Sequence, residues 1–156
     1  MRIVLQRVRR ASVTVDDAIV SAIGPGLLLL VGITVDDTED DVSAAVSKIA
    51  GLRIFPDEEG LMNRSVTETA GEVLVVSQFT LYGDATRGRR PSFTDAARPE
   101  VARPLIDATV DGFRDLGLTT QSGVFGASMQ VDLINDGPVT LVIDVKQGKV
   151  SAPGRP

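Results

Sequence analysis

One stretch of eight residues, Ser77 to Asp84, combines hydroxyls, an amide and a carboxylate directly after an apolar segment. Side chains at the end of a buried strand are held rigidly and lie beside exposed backbone N–H groups, which can stabilise an oxyanion. The segment is therefore a candidate functional site. The structural alternative is that Ser77 and Thr80 only hydrogen-bond within the sheet.

A second stretch with distinctive residue types runs from Asn135 to Thr140 and contains Asp136-Gly137-Pro138. Turn chemistry alone is enough to explain it. Neither stretch, taken by itself, indicates a particular reaction.

The chain contains no histidine and no cysteine. It therefore has no Ser-His-Asp or Cys-His nucleophile system, no imidazole base, and no His or thiolate ligands for zinc or haem, so we expect no metal site. Gly24-Pro25-Gly26 lacks the third glycine of a dinucleotide fingerprint, and no Gly-Lys-Ser/Thr phosphate loop occurs. We expect no nucleotide cofactor either.

Length and composition fit one folded domain. The chain has 156 residues, 43% of them hydrophobic and 24% charged, with a net charge of −5. Its longest apolar run, Leu27 to Val31, is far shorter than the ~20 residues of a membrane span. Arginines interrupt the N-terminal segment, which rules out the apolar core of a secretory signal, and we expect a soluble, cytoplasmic protein.

Hydrophobic periodicity predicts the elements that would position these residues. A helix is predicted from Glu39 to about Gly51, and a second one ends near Gly117 and either starts or bends at Pro104. Between the second buried strand and this helix, residues 83–98 form a long polar loop. The predicted strands are Ile3–Val8, Ala11–Asp16, Ala18–Ile23, Leu27–Thr34, Glu72–Thr80, Met129–Ile134 and Val139–Val145.

Together these segments match a known family. The sequence resembles the D-aminoacyl-tRNA deacylases over nearly its whole length, and the Ser77-to-Asp84 and Asn135-to-Thr140 blocks are the most specific parts of the match. The other matching segments, in order, are Met1–Val8 with Ala11–Val15, Gly24–Leu27, Leu52–Phe55, Met62-Asn63, Gly88–Phe93, and Phe125–Ala127 with Met129. The tail beyond Val145 is not part of the match.

The resemblance implies an α/β fold with mixed, largely antiparallel sheets that form a barrel-like core with two main helices. It implies a single domain over residues 1–145, and we expect the polar residues 146–156 to form a flexible tail. The implied activity is hydrolysis of the ester between a D-amino acid, or mischarged glycine, and the terminal ribose of tRNA, with rejection of L-aminoacyl-tRNA. The implied assembly is a homodimer with active sites at the subunit interface.

The resemblance also assigns residues. It implies that Ser77 and Gln78 hydrogen-bond the terminal adenosine and the ester, that Phe79 contributes its backbone N–H to the oxyanion, and that Thr80 has a positioning role. Gly137 and Pro138, joined by a cis peptide bond, would reach into the partner's pocket and exclude an L side chain. The family is described as using the ribose 2′-OH as proton acceptor, which suits a chain in which a carboxylate such as Asp84, with an unperturbed pKa of ~3.9, is a weak base.

Two further sets of residues are candidates for contact with the tRNA. By family position Phe125, Ala127 and Met129 line the adenine pocket, although composition alone is equally consistent with an ordinary core. Arg7, Arg87, Arg89 and Arg90 form a candidate basic lip for tRNA on an otherwise acidic protein, the alternative being a solvated loop. Two other functions stay open: a non-catalytic module that binds tRNA ends or DNA, and a serine or threonine esterase acting on small esters.

Overall fold

Strand β1 organises the sheet in the computed structural model, which describes residues 1–153. It runs without interruption over Arg2–Val15, whereas the sequence predicted two separate strands. Its first half pairs with β3 (Gly26–Gly32), its second half with β2 (Ala18–Ile23), and both halves with β8 (Gln130–Lys146). Register shifts after Gln6 and Val8 accommodate the exposed arginines at positions 9 and 10 without ending the strand.

The remaining elements complete a mixed α/β fold. In chain order they are α1 (Glu39–Ala50), β4 (Phe55–Pro56), β5 (Met62–Arg64), β6 (Glu72–Ser77), a 3-10 turn (Phe79–Tyr82), α2 (Pro99–Asp115), β7 (Thr120–Ser122) and β9 (Lys149–Ser151). The main sheet has the order β7-β6-β3-β1-β8-β9, with β2 also paired to β1. β3, β6 and β7 run parallel to one another, and the other pairs are antiparallel. Because β2 also lies against β6 and β7, the sheet curls into a half-barrel.

The alternation of side chains along β3 and β6 divides the apolar interior into two parts. Leu27, Leu29 and Val31 face the helices and pack in one cluster with Ile49 and Phe113. The intervening residues face the inside of the curl, where Leu28 and Leu74 pack with a second cluster. β3 is therefore buried on both faces, as its continuous apolar run predicted.

Both predicted helices are present. α1 begins after a capping box in which the Thr38 N–H donates to Asp41, as the spacing of those two residues predicted. α2 begins at Pro99, five residues before Pro104, so Pro104 lies inside the helix and does not start it. Proline is well suited to the first turn of a helix because the N–H it lacks has no intrahelical acceptor there.

The N-terminus lies against the last residues of β8 and the segment that precedes α1. The ammonium group of Met1 pairs with the Asp37 carboxylate and donates to the Val145 carbonyl oxygen at 2.8 Å. β8 extends to Lys146, and β9 pairs with it, so the regular structure continues past the predicted boundary at residue 145. The last residues of the predicted tail, 154–156, lie outside the described residues. None of the helices in residues 1–153 is long and apolar enough to cross a membrane.

Candidate functional site

The first part of the site is the turn that follows β6. The sequence predicted a strand as far as Thr80, but β6 ends at Ser77 and the chain enters a 3-10 turn at Phe79. The Gln78 N–H donates to the Val31 carbonyl oxygen at 2.8 Å, which is the last hydrogen bond to β3. A Cβ at Gly32 would lie 3.1 Å from the Gln78 carbonyl oxygen, so this glycine allows the turn to pack directly on β3.

The turn leaves two successive N–H groups available. Within residues 1–153 neither the Phe79 N–H nor the Thr80 N–H has a hydrogen-bond acceptor, as is usual for the first residues of a helical turn. The Gln78 side-chain amide donates to the Thr80 hydroxyl. The Thr80 side chain is thus oriented by Gln78, and the adjacent backbone can donate to an oxyanion.

A cavity of about 530 Å³ opens beside this turn. Ser77, Gln78 and Phe79 line one side of it, and Phe125 and Met129 line another together with Ala127. The structure therefore brings together six of the residues singled out in the sequence, in a volume suited to a small-molecule ligand. Thr80 is not part of the wall. The other residues that line the cavity were not predicted from the sequence: Ile33, Val76, Phe93, Ala96, Ala97, Arg98, Pro99, Ala102, Gly126 and Val131.

An aromatic pair stands at the mouth of the cavity. The Phe79 and Phe93 rings meet edge to face, with centroids 5.2 Å apart and an interplanar angle of 71°. Both side chains remain partly exposed, at 54% and 38%. Aromatic surface left open at a pocket mouth is suited to contact with a flat, apolar part of a ligand.

The second part of the site is a bulge in β8. The sequence predicted two strands joined by a turn here, but β8 is continuous, and residues 136–139 loop out where the register passes from Thr140 opposite Gln6 to Asn135 opposite Val8. The Gly137-Pro138 peptide bond is cis, as the resemblance implied, and both residues are exposed. Neither lines the cavity of its own chain.

The side chain of Asn135 stabilises the bulge. Its amide group donates to the Val139 carbonyl oxygen and accepts from the Val139 N–H, both at 3.1 Å. No side chain in residues 1–153 donates to the carbonyl oxygen of Gly137 or Pro138. The bulge therefore presents two carbonyl groups that are free to meet another molecule.

The placement of Arg7 differs from the expectation. Its side chain is buried, donates to the backbone carbonyl oxygens of Asp136 and Ile54, and pairs with the Asp136 carboxylate at 3.3 Å. These internal contacts occupy the donors of Arg7 and argue against the prediction that this residue contacts tRNA. Arg87, Arg89 and Arg90 are exposed on the predicted loop, and none of them has an ion-pair partner in residues 1–153.

The ionisable groups near the turn offer no base near neutral pH. Hydrogen bonds from Thr86 hold the pKa of the Asp84 carboxyl below its ordinary value, and the Thr86 N–H donates to it at 2.8 Å. Burial raises the pKa of the Tyr82 hydroxyl well above its ordinary value. No cluster of three or more Asp, Glu, His or Cys residues in positions 1–153 could hold a metal ion.

Comparison with known sequences points to one family. The family model described as D-Tyr-tRNA(Tyr) deacylase matches residues 4–144. A D-aminoacyl-tRNA deacylase from Roseiflexus sp. (strain RS-1) is 58% identical over 144 residues, which cover 92% of this chain and 93% of the relative. A D-aminoacyl-tRNA deacylase from Bacillus cereus is 57% identical over 146 residues, covering 94% of this chain and 100% of the relative.

Solved structures share the fold. A protein named c-Myc DNA unwinding element binding protein superposes with a TM-score of 0.85 at 41% identity, covering 92% of this chain and 98% of that one. A probable eukaryotic D-amino acid tRNA deacylase superposes with a TM-score of 0.79 at 20% identity, covering 90% and 97%. The second likeness supports the fold alone.

Proposed function

The chain belongs to the D-aminoacyl-tRNA deacylase family, and we propose that it hydrolyses D-aminoacyl-tRNA at a site shared between two subunits. The products are free tRNA and a D-amino acid, and the enzyme is a hydrolase. We place it in the cytoplasm, where aminoacyl-tRNA is made and used. We also propose that the enzyme is a homodimer that rejects L-aminoacyl-tRNA and cleaves glycyl-tRNA.

The observation that carries the proposal is the cavity beside the 3-10 turn. It joins the Ser77-to-Phe79 turn to the Phe125-to-Met129 wall, two segments separated in sequence that both belong to the family resemblance. Its volume and mostly apolar walls suit a terminal adenosine carrying an amino acid. The Phe125-to-Met129 wall suits the adenine base, and the open Phe79 and Phe93 rings at the mouth suit contact with another flat or apolar part of the ligand.

In this assignment the turn acts on the ester carbonyl. Water adds to the carbonyl carbon, the negative charge that forms on oxygen is stabilised by the Phe79 N–H, and the bond from carbon to the ribose oxygen then breaks. A well-placed donor of this kind contributes roughly 2.7–4 kcal/mol to a transition state. Ser77 and Gln78 hold the adenosine and the ester, and Thr80, held by the Gln78 amide, has a positioning role.

The proton is relayed by the substrate in this account. With no histidine or cysteine in the chain and a depressed pKa at Asp84, the side chains near the turn do not supply a base near neutral pH. The 2′-OH beside the ester accepts the proton of the attacking water as it passes its own to the leaving 3′-oxygen. Positioning and oxyanion binding then account for the rate.

Selection for chirality comes from the bulge of the partner subunit. Gly137 and Pro138 protrude from β8, are exposed, and take no part in the cavity of their own chain. In a two-fold dimer they enter the partner's cavity, where backbone carbonyl groups occupy the space of an L side chain. Glycine has no side chain to exclude, and a pocket that selects by steric clash discriminates poorly against a smaller ligand.

A single-turnover assay with D-tyrosyl-, L-tyrosyl- and glycyl-tRNA tests the proposal. We expect cleavage of the D-tyrosyl and glycyl substrates and survival of the L-tyrosyl substrate. Comparable cleavage of the D and L substrates contradicts exclusion of the L side chain by the partner's bulge. Cleavage of small esters at a rate independent of tRNA supports a general esterase.

A second candidate function is nucleic-acid binding without cleavage. It is favoured by the likeness to a protein named for binding a DNA unwinding element, which is 41% identical to this chain. The same assay separates the two functions, because a binding module retains the ester on every tRNA that it binds. Intact D-tyrosyl-tRNA in the presence of saturating protein supports this candidate.

A further inference from the structure

Two arginines near the start of α2 lie at the cavity, one in its wall and the other against a wall residue. Arg98 is exposed and forms part of the cavity wall. The guanidinium carbon of Arg103 lies 4.9 Å from the ring centroid of Phe125, which lines the same cavity. This cation–π contact holds the guanidinium beside the cavity wall, and its N–H groups remain able to donate to a ligand.

Within residues 1–153, neither arginine has a counter-ion. Among residues 1–153 no carboxylate lies within 4.0 Å of Arg98 or Arg103, although Glu100 and Asp107 are on the same helix. The segment from 85 to 106 carries five arginines and only two carboxylates in a chain of net charge −5. The cavity is therefore bordered on one side by a local positive field, which attracts an anion to that side.

We infer that Arg98 and Arg103 bind the phosphodiester group that joins the terminal nucleoside of the tRNA to the preceding nucleotide. This rests on the proposed function, since it takes the cavity to hold the terminal adenosine. A guanidinium group donates two parallel hydrogen bonds to a phosphate, and a polynucleotide presents such a group next to its last nucleoside. The single-stranded end of the tRNA then leaves the cavity across the first two turns of α2.

Only a substrate that contains a phosphodiester group can bind these two side chains through its phosphate. An aminoacyl ester of adenosine has no phosphate and cannot use Arg98 or Arg103 in this way. An aminoacyl ester of the dinucleotide CpA has one phosphodiester, at the position in question. Loss of either arginine should therefore raise the KM for the CpA ester by a larger factor than the KM for the adenosine ester, because Arg98 and Phe125 also line the cavity itself.

The experiment compares Arg98→Gln and Arg103→Gln with wild type on the D-tyrosyl esters of adenosine and of CpA. Arg114→Gln is the matched control, because it makes the same charge change at the other end of α2, on a side chain that is 53% exposed. We expect each test substitution to raise the KM for the CpA ester by about threefold to tenfold, as for a partly exposed ion pair. The Arg114→Gln control should leave KM and kcat unchanged for both esters.

Binding of deacylated tRNA gives a readout that needs no turnover. Each test variant should lower the slope of log affinity against log salt by about 0.7, the value for one contact to a single-stranded phosphate. Equal KM values for wild type and both variants on the CpA ester, with unchanged salt slopes, overturn the inference while the cleavage itself upholds the proposed function. If wild type cleaves neither ester nor D-tyrosyl-tRNA, the proposed function fails, and the salt slopes still decide whether these arginines bind phosphate.

Discussion

Arg7 donates a hydrogen bond from Nε to the backbone carbonyl oxygen of Asp136 at 2.9 Å, one residue before the exposed Gly137-Pro138 pair. A second guanidinium nitrogen donates to the carbonyl oxygen of Ile54. The arginine thus ties the base of the β8 bulge to the segment that follows α1. It is a positioning residue for the bulge.

Replacing this arginine should loosen the bulge. In Arg7→Met the carbonyl oxygens of Asp136 and Ile54 lose their donor, and we expect the free energy of unfolding to fall by about 2 kcal/mol. We also expect the ratio of D- to L-tyrosyl-tRNA cleavage to fall, while the salt dependence of tRNA binding stays unchanged. Urea unfolding and single-turnover kinetics measure these effects.

Arg10→Met is the matched control for that substitution. Arg10 lies on the same strand, is exposed, and has no ion pair among residues 1–153. Its replacement should leave stability and selectivity as they are. Weaker tRNA binding by Arg7→Met at an unchanged ratio of D to L cleavage would instead restore Arg7 as an RNA contact.

A side chain at position 137 should displace the Gly137-Pro138 bulge of β8. The residue has φ of +154°, and an added Cβ would lie 2.4 Å from the Val139 backbone nitrogen. In Gly137→Ala we expect the bulge to shift and the discrimination between D- and L-tyrosyl-tRNA to fall, with the fold retained. Gly60→Ala is the control, because Gly60 also has positive φ but nothing lies within 4 Å of its Cβ position. Unaltered discrimination in Gly137→Ala, with a shifted bulge in its crystal structure, would argue against exclusion of the L side chain by the bulge.

The Thr80 hydroxyl should be dispensable for the chemical step. It accepts a hydrogen bond from Gln78, does not line the cavity, and has no base beside it. We expect Thr80→Ala to retain cleavage of D-tyrosyl-tRNA within about tenfold of wild type, the usual scale for one lost hydrogen bond. A substrate with a 2′-deoxy terminal ribose should lose nearly all cleavage. An inactive Thr80→Ala together with normal cleavage of the deoxy substrate identifies the threonine as the nucleophile.

The pH profile should lack a step from Asp84. Hydrogen bonds from Thr86 lower the pKa of this carboxyl, so it is ionised at every pH above its ordinary pKa and protonates only below that value. Between pH 5 and 8 we expect Asp84→Asn and wild type to give single-turnover profiles of the same shape. A step near neutral pH that disappears in Asp84→Asn would make this carboxylate the base.

The sequence predicted the helices and the buried strands well because their signals are local. The Thr38-to-Asp41 spacing and the apolar face that follows define α1 without reference to the rest of the chain. The 3-10 turn was missed because Phe79 and Leu81 continue an apolar pattern, and the strand ends only where Gly32 allows the turn to pack on β3.

The β8 bulge and the burial of Arg7 depend on long-range contacts, which local sequence patterns do not show. Asn135-Asp136-Gly137-Pro138 has the composition of a turn, and it becomes a bulge only because β1 continues to pair with β8 on both sides of it. Arg7 stands among exposed arginines in the sequence, and its burial depends on contacts with Ile54 and Asp136, far away along the chain. Neither contact leaves a periodic signal around residue 7.

Purified heterodimers give the most direct test of the shared site. One subunit carries Ala127→Trp, which fills the cavity, and the other carries Gly137→Ala, with a different affinity tag on each. In our account one of the two sites then combines an intact cavity with an intact bulge from its partner. The heterodimer should cleave D-tyrosyl-tRNA at about half the wild-type rate per dimer and spare L-tyrosyl-tRNA. A heterodimer that treats the D and L substrates as the Gly137→Ala homodimer does would show that each bulge serves its own chain, and would contradict the account.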